Sequence, residues 1–119
     1  MREERGQVAG DLFINEPYEL WGSVGGDVTV VEGGKFYVRG SIYGTLIAAK
    51  GGRVHVLGRV QGNLEIHRRA KVIISGVIGG DVRNLGGRLF VNATAKILGK
   101  WKIDKGENEF EPGAPRPDR

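Results

Sequence analysis

The chain contains no cysteine, and this absence excludes several kinds of chemistry at once. Without thiols there is no disulfide framework, no cysteine-ligated metal site and no cysteine nucleophile. Histidine occurs only at His55 and His67, and neither lies at a spacing from acidic or hydroxyl residues that is typical of a metal site or a catalytic triad. We therefore expect no metal, no other cofactor and no enzymatic activity.

Long hydrophobic runs are also missing. No stretch is long enough to span a bilayer, and the first residues, MREERGQVAG, lack the apolar segment of a signal peptide. No segment shows the 3.6-residue apolar period of an amphipathic helix. These absences predict a cytoplasmic protein without helices.

What the chain has in abundance is glycine, 21 of 119 residues, and its spacing is regular. Glycines recur every eighteen residues, and a second glycine follows each of them by four. The two sets are Gly22, Gly40, Gly58 and Gly76, and Gly26, Gly44, Gly62 and Gly80. A fixed period of this size is typical of a solenoid, in which each repeat is one coil stacked on the last.

Within each period, apolar and polar residues alternate, which is typical of β-strands with one buried face. Three short strands per coil predict a three-sided parallel β-helix, all-β, with about six coils of about eighteen residues. The predicted boundaries are a short charged N-terminal tail at 1–5, the β-helix domain at 6–110 and a proline-rich, flexible C-terminal tail at 111–119. Corners such as Gly33–Gly34 are expected to need positive φ.

One polar residue interrupts the predicted apolar core. Asn84 falls on an inward column that otherwise holds aliphatic residues, in a coil that is one residue short. Our interpretation is a local bulge that turns Asn84 outward, and the alternative is an amide buried inside the coil.

Two neighbouring outward columns are candidate contact surfaces. The basic column consists of Lys35, Arg53, Lys71 and Arg88, and the aromatic column of Tyr37, His55, Ile73 and Phe90. The basic column suits an anionic membrane surface or an acidic client protein, or simply keeps a sheet face soluble. The aromatic column predicts a lateral contact, for which Tyr37 and Phe90 are the candidates. No motif indicates specific nucleic-acid binding.

A third outward column contains three carboxylates. Asp11, Asp27 and Asp81 share it with Thr45 and Asn63, which interrupt any continuous row of carboxylate ligands. We therefore do not predict a calcium site there.

The ends of a solenoid leave strand edges unpaired, and such edges favour the addition of another chain. Neither end of this sequence contains an obvious cap. The expected partner is thus a second copy of the chain, and repeated end contacts that do not close into a ring would build a homopolymer. The candidate interface residues are the apolar residues of the end coils, Val8, Leu12, Ile14, Ile97, Trp101, Ile103 and Phe110.

The blocks SIYGTLIA, RVQGNLEI, VIGGDVRN and KILGKWKI resemble the bactofilins, bacterial cytoskeletal proteins that form polymers. The resemblance covers about residues 6–110. It implies a right-handed β-helix that polymerises end to end without nucleotide or metal, and that organises cell-shape or polar-localisation machinery, often at the inner face of the membrane. The family's aromatic residue at the C-terminal polymer contact corresponds to Phe110 or to Trp101. Its N-terminal membrane-binding segment has no counterpart in MREER.

Two other functions fit the same period. Eighteen residues equal three hexapeptides, the repeat of acyltransferases that form left-handed β-helices and use a histidine at a trimer interface. Against this, glycine here follows the aliphatic position by two, and the long cofactor-binding loops are missing. The remaining alternative is a binding or targeting module that acts as a dimer, similar to the β-helical domain of the septum-site inhibitor family.

Overall fold

The structure is a computed structural model and describes residues 1–117, which form nineteen β-strands and no helix. No helix in this range could therefore cross a membrane. In chain order the strands are β1 (Arg2–Glu4), β2 (Gln7–Val8), β3 (Leu12–Ile14), β4 (Pro17–Leu20), β5 (Ser23–Val24), β6 (Val28–Val30), β7 (Lys35–Val38), β8 (Ser41–Ile42), β9 (Leu46–Ala48), β10 (Arg53–Val56), β11 (Arg59–Val60), β12 (Leu64–Ile66), β13 (Lys71–Ile74), β14 (Val77–Ile78), β15 (Val82–Asn84), β16 (Arg88–Val91), β17 (Lys96–Ile97), β18 (Trp101–Lys102) and β19 (Glu107–Phe110).

These strands form three parallel sheets on the sides of one solenoid. Sheet A has the order β1-β4-β7-β10-β13-β16-β19, sheet B is β2-β5-β8-β11-β14-β17, and sheet C is β3-β6-β9-β12-β15-β18. Successive strands of a sheet lie one coil apart and pair in register, so that Val54 stands between Phe36 and Val72. The fold is thus the predicted β-solenoid of six complete coils, with β1 added before the first.

The core consists of inward side chains stacked coil upon coil. Along one column Val24, Ile42, Val60 and Ile78 are each 0% exposed, and adjacent members are paired across sheet B. Burying one such aliphatic side chain contributes about 1.5–3 kcal/mol. In the second to fourth coils the interior is therefore an apolar shaft that the repeat itself fills.

The glycines that recur every eighteen residues are needed because a side chain would not fit there, and not because they form turns. A Cβ atom on Gly40 would overlap the carbonyl oxygen of Gly22 in the preceding coil, and one on Gly44 would overlap the Asp27 carboxylate and the Gly26 backbone. Any side chain at these positions would push adjacent coils apart. Close coil-to-coil approach thus requires glycine at this period.

The corners before sheet A confirm the expected positive φ. Gly33, Gly51 and Gly86 have φ values of 90°, 80° and 138°. The same corner in the fourth coil contains Arg69, with φ 64°. A bulky residue in this region is strained relative to glycine.

Asn84 lies inside the coil, so the prediction of an outward bulge is wrong. Its side chain is 2% exposed. The Oδ1 atom accepts hydrogen bonds from the backbone N–H groups of Gly86 at 3.0 Å and Gly87 at 2.8 Å. The Nδ2 atom donates to the Gly87 carbonyl at 3.1 Å and to Asn108 Oδ1 at 2.9 Å. The amide closes the shortened corner as an Asx turn and is fully bonded there.

Candidate functional site

The C-terminal end of the solenoid presents a cluster of half-buried apolar side chains. The rings of Trp101 and Phe110 lie 5.7 Å apart with an interplanar angle of 58°. Ile97 and Ile103 are also half-buried at this end. The two residues that we considered as alternatives for a C-terminal contact, Trp101 and Phe110, therefore belong to one aromatic pair.

After Phe110, residues 111–114 form a corner like the one that follows sheet A one coil earlier. Ala114 N–H donates to the Glu111 carbonyl at 2.9 Å, as Ala95 N–H donates to Asn92 at 3.0 Å one coil earlier. Ala114 is buried, and the Arg116 guanidinium lies 5.1 Å from the Phe110 ring centre. Within residues 1–117 no strand follows β19, and proline at 115 and 117 has no N–H to donate to a sheet. Asp118 and Arg119 lie outside the described residues.

The N-terminal end differs in charge. Strand β1 extends sheet A through residues that we predicted to be a tail, and it places Arg2 and Glu4 on the inward columns of Tyr18 and Leu20. The Arg2 guanidinium lies 5.6 Å from the Tyr18 ring centre. Burial raises the pKa of Tyr18, and the Glu4 carboxylate raises it further. Charged residues at inward positions of an edge strand discourage non-specific pairing.

A cation–π cluster fixes β1 to the first coil. The Trp21 ring lies between the guanidinium groups of Arg5 at 5.0 Å and Arg39 at 4.9 Å. Glu19 accepts hydrogen bonds from Trp21 Nε1 at 2.9 Å and from Arg39 Nε at 2.6 Å. The bond from Arg39 holds the pKa of the Glu19 carboxyl below its ordinary value, with a smaller effect of the Trp21 bond. The cluster binds Arg5 to the first coil through Trp21.

Six of the seven predicted interface residues are half-buried in the first or last coil. Val8 and Leu12 are half-buried at the N-terminal end, whereas Ile14 is only 1% exposed and belongs to the core. Six large hydrophobic side chains are exposed in residues 1–117, and four of them lie near the ends of the solenoid. Met1 precedes the first coil, Phe13 and Trp21 belong to the first coil, and Leu98 belongs to the last. Apolar surface is thus concentrated at the ends.

The outer face of sheet A brings the basic and aromatic columns side by side. The four cations lie on adjacent strands in register. Arg88 pairs with Glu107, Nε to Oε2 at 3.1 Å, whereas Lys35, Arg53 and Lys71 have no carboxylate within ion-pair distance among residues 1–117. The side chains of the aromatic column are half-buried beside them.

Sequence reasoning missed the polar partners of both histidines. His55 Nε2 lies 2.9 Å from Ser75 Oγ, and Ser75 also accepts a bond from Asn92 Nδ2. His67 Nε2 lies 3.5 Å from Glu65 Oε1. A separation of twenty residues is one coil plus two positions along the strand, so the repeat itself could have located Ser75. Burial lowers the pKa of His55, and the Arg39 charge lowers it further.

The column of carboxylates has a structural role at the corner between sheets B and C. Asp11 Oδ1 accepts from Asp27 N–H at 2.7 Å, and Asp27 Oδ1 accepts from Thr45 N–H at 2.8 Å. Thr45, Asn63 and Asp81 continue the series, each accepting from the backbone one coil further on. Within residues 1–117, no three His, Asp or Glu side chains are grouped as metal ligands.

Comparisons of the chain with protein-family models, with curated proteins and with solved structures found no match.

Proposed function

We propose that the chain is a structural protein that associates end to end into filaments and serves as a cytoplasmic scaffold of the bactofilin type. The observation that carries this proposal is the half-buried Trp101–Phe110 pair at an end where the strands of sheets A and C are unpaired. A second copy stacked there, with Arg116 moved away from the Phe110 ring, would bury the two rings and satisfy those edges.

The cost of leaving the ends free supports association. Each end strand has backbone N–H and C=O groups without a partner in the next coil, since β2 and β3 begin their sheets and β18 and β19 end theirs. Pairing these edges with another copy would extend the sheets from one molecule into the next. The half-buried Val8 and Leu12 at one end and Ile97 and Ile103 at the other would then enter a common core.

The cross-sectional area of the solenoid limits the strength of one end-to-end contact between two copies. The cross-section of 24 × 21 Å limits it to about 500 Å² per partner, below the roughly 800 Å² of a standard protein interface. Backbone pairing and aromatic burial must supply most of its affinity. We therefore expect assembly that depends strongly on protein concentration, as suits a polymer that exchanges subunits.

Such assembly requires no nucleotide or metal, because the driving force is burial of apolar surface and completion of sheets. The filament would have no catalytic role, and its partners would be further copies of itself and client proteins. Association with the inner face of a membrane would have to use the exposed cations of the sheet A face.

The test is sedimentation and negative-stain electron microscopy of the purified protein in EDTA without nucleotide. The parent should form filaments that pellet, whereas Phe110→Arg should stay in the supernatant with an unchanged circular dichroism spectrum. Tyr43→Arg is the matched control, because Tyr43 is an exposed aromatic residue in the middle of the solenoid. If Phe110→Arg pellets like the control, the C-terminal end does not form the contact.

The difference between the two ends favours one alternative. The C-terminal end is aromatic, whereas Arg2 and Glu4 place charge on inward positions at the N-terminal end. A chain that associates only through its C-terminal end would stop at a dimer, as in a binding or targeting module. Light scattering distinguishes the two functions, since a dimer keeps one mass over a range of concentrations and a filament does not.

A further inference from the structure

A groove runs along the outer face of sheet A, between the basic column and the aromatic column. It consists of two consecutive troughs of about 260 Å³ each, which share Lys71 and Ile73. The first is also lined by Lys35, Tyr37, Arg53 and His55, and the second by Arg88, Phe90, Glu107 and Glu109. The groove therefore runs along the axis of the solenoid and crosses the strands.

The basic wall of this groove has an excess of unpaired positive charge. Lys35 lies opposite Arg53, which lies opposite Lys71, each pair on adjacent strands. Like charges that stand directly opposite each other on a sheet are destabilising. On the outer face of sheet C, Arg83 stands opposite Glu65 on one side and Lys102 on the other, so that face has a single like-charge step where sheet A has three in a row. A solubilising surface needs no such row of cations, but the binding of an anionic ligand does.

The opposite wall is apolar and uncharged. Tyr37 and His55 lie with ring centres 6.2 Å apart, and Ile73 and Phe90 continue the wall. Burial lowers the pKa of His55, which favours the neutral form of its imidazole. One side of the groove thus suits carboxylates, and the other suits apolar side chains.

Carboxylates stand at the C-terminal end of the groove, where Glu107 and Glu109 follow Arg88 and Phe90 on the last strand. At the other end Glu19 precedes Tyr37 in the aromatic column, but its carboxylate is bonded to Arg39. The basic column spans three strand spacings, about 14 Å, which is the length of about four residues of extended chain. A long polyanion would extend past the cations to Glu107 and Glu109 and be repelled there, whereas a ligand of this length would not.

We propose that this groove binds a short extended peptide of a client protein in which acidic and apolar residues alternate. In an extended chain, alternate side chains point in opposite directions. Over about four residues, two acidic side chains would face the row of Lys35, Arg53 and Lys71, and two apolar side chains would pack against the aromatic column. The groove lies on the side of the solenoid, so it stays open whether or not the ends associate.

The test is fluorescence anisotropy at 0.15 M salt with a labelled eight-residue peptide that alternates glutamate and leucine. A peptide of the same composition with four glutamates followed by four leucines is the control for pattern. The paired substitution Arg53→Glu and Lys71→Glu should weaken binding of the alternating peptide about tenfold or more, since each reversed ion pair removes an attraction and adds a repulsion. Arg59→Glu with Lys102→Glu changes the net charge equally on the other two sheets and should leave binding unchanged.

Three results would overturn the proposal. One is equal affinity for the two peptides, and another is equal loss of affinity in the two paired variants, because either indicates only general charge attraction. The third is displacement of the peptide by a twelve-residue oligothymidine or by phosphatidylserine vesicles at lower concentration than by unlabelled peptide. The Phe110→Arg variant should bind the peptide like the parent, so that a failure of end association and a failure of the groove are separate outcomes.

Discussion

The second to fourth coils keep to the repeat closely, whereas the last two coils depart from it. In the middle coils the inward side chains of the strands are aliphatic or phenylalanine and at most 4% exposed. In the last two coils the same columns contain Asn84 and Asn108, and Trp101 and Phe110 are only half-buried. The interior of the protein thus changes from a dry apolar shaft to a mixed polar and aromatic end.

The difference follows from how a solenoid is stabilised. Each coil contacts only its neighbours, so that a departure from the repeat affects one or two coils and leaves the others intact. A middle coil must pack against and pair with a neighbour on both sides, whereas an end coil has only one such neighbour. The residues available for contact with another molecule are therefore those of the end coils and the outward columns, and it is there that we place both proposed functions.

The sharpest test of the dry shaft is a charge in its middle. Val60→Asp should prevent folding, because Val60 is 0% exposed and lies between Ile42 and Ile78 with no polar partner. An unpaired buried carboxylate costs several kcal/mol even after it takes up a proton, which is comparable to the whole stability of a small domain. Thermal unfolding by circular dichroism is the measurement. Arg59→Asp is the adjacent outward control and should unfold cooperatively like the parent, and the same behaviour in Val60→Asp would contradict the inward assignment.

The regular part of the fold could be predicted from the sequence because one period determines coil length, register and the inward columns together. Val60 illustrates this. It pairs with Ile42, eighteen residues before it, and with Ile78, eighteen residues after it, so the period alone assigns it to the inward column. The same reasoning identified the positive-φ corner at Gly33. Because the repeat is fixed, it reveals which distant residues are in contact, and a single sequence does not normally reveal this.

The irregular parts escaped prediction where a contact depends on atoms that the repeat does not specify. Ile14 looked like an end residue by position, but it is buried. Strand β1 was missed because Arg2 and Glu4 break the apolar alternation, although the strand pairs with β4 through its backbone. Asn84 was placed outside because an amide in an apolar column suggests a defect, whereas its four hydrogen bonds make the buried position favourable.

A weaker effect is expected where the shaft becomes polar. Asn84→Ile would restore the aliphatic column, but it leaves the N–H groups of Gly86 and Gly87 without their acceptor. Each buried donor that loses its partner costs about 1–3 kcal/mol, so we expect a net destabilisation of about 2–4 kcal/mol in urea unfolding. If Asn84→Ile were instead as stable as the parent, the polar end would be a tolerated irregularity and not a required closure.

A double-mutant cycle with Asn108→Ala isolates the bond between the two amides. Asn84 Nδ2 and Asn108 Oδ1 are 2.9 Å apart, and directly bonded partners usually show coupling energies of about 0.5–3 kcal/mol. Additive effects of the two substitutions would show that each amide acts only on the backbone of its own corner.

The smallest expected effect concerns the one corner of the middle coils that departs from glycine. Arg69 has φ 64°, where the equivalent Gly51 has φ 80°. Arg69→Gly removes a left-handed strain of about 1–2 kcal/mol but adds about 0.4–1 kcal/mol of unfolded-state entropy, so the net gain should be about 0.5 kcal/mol. The neighbouring Arg68→Gly is the matched control, because Arg68 has no positive φ, and it should destabilise the protein through the entropy term alone. Equal destabilisation by the two substitutions in urea unfolding would mean that the corner of the fourth coil holds arginine without strain, and that the middle coils tolerate more variation than the comparison with the ends implies.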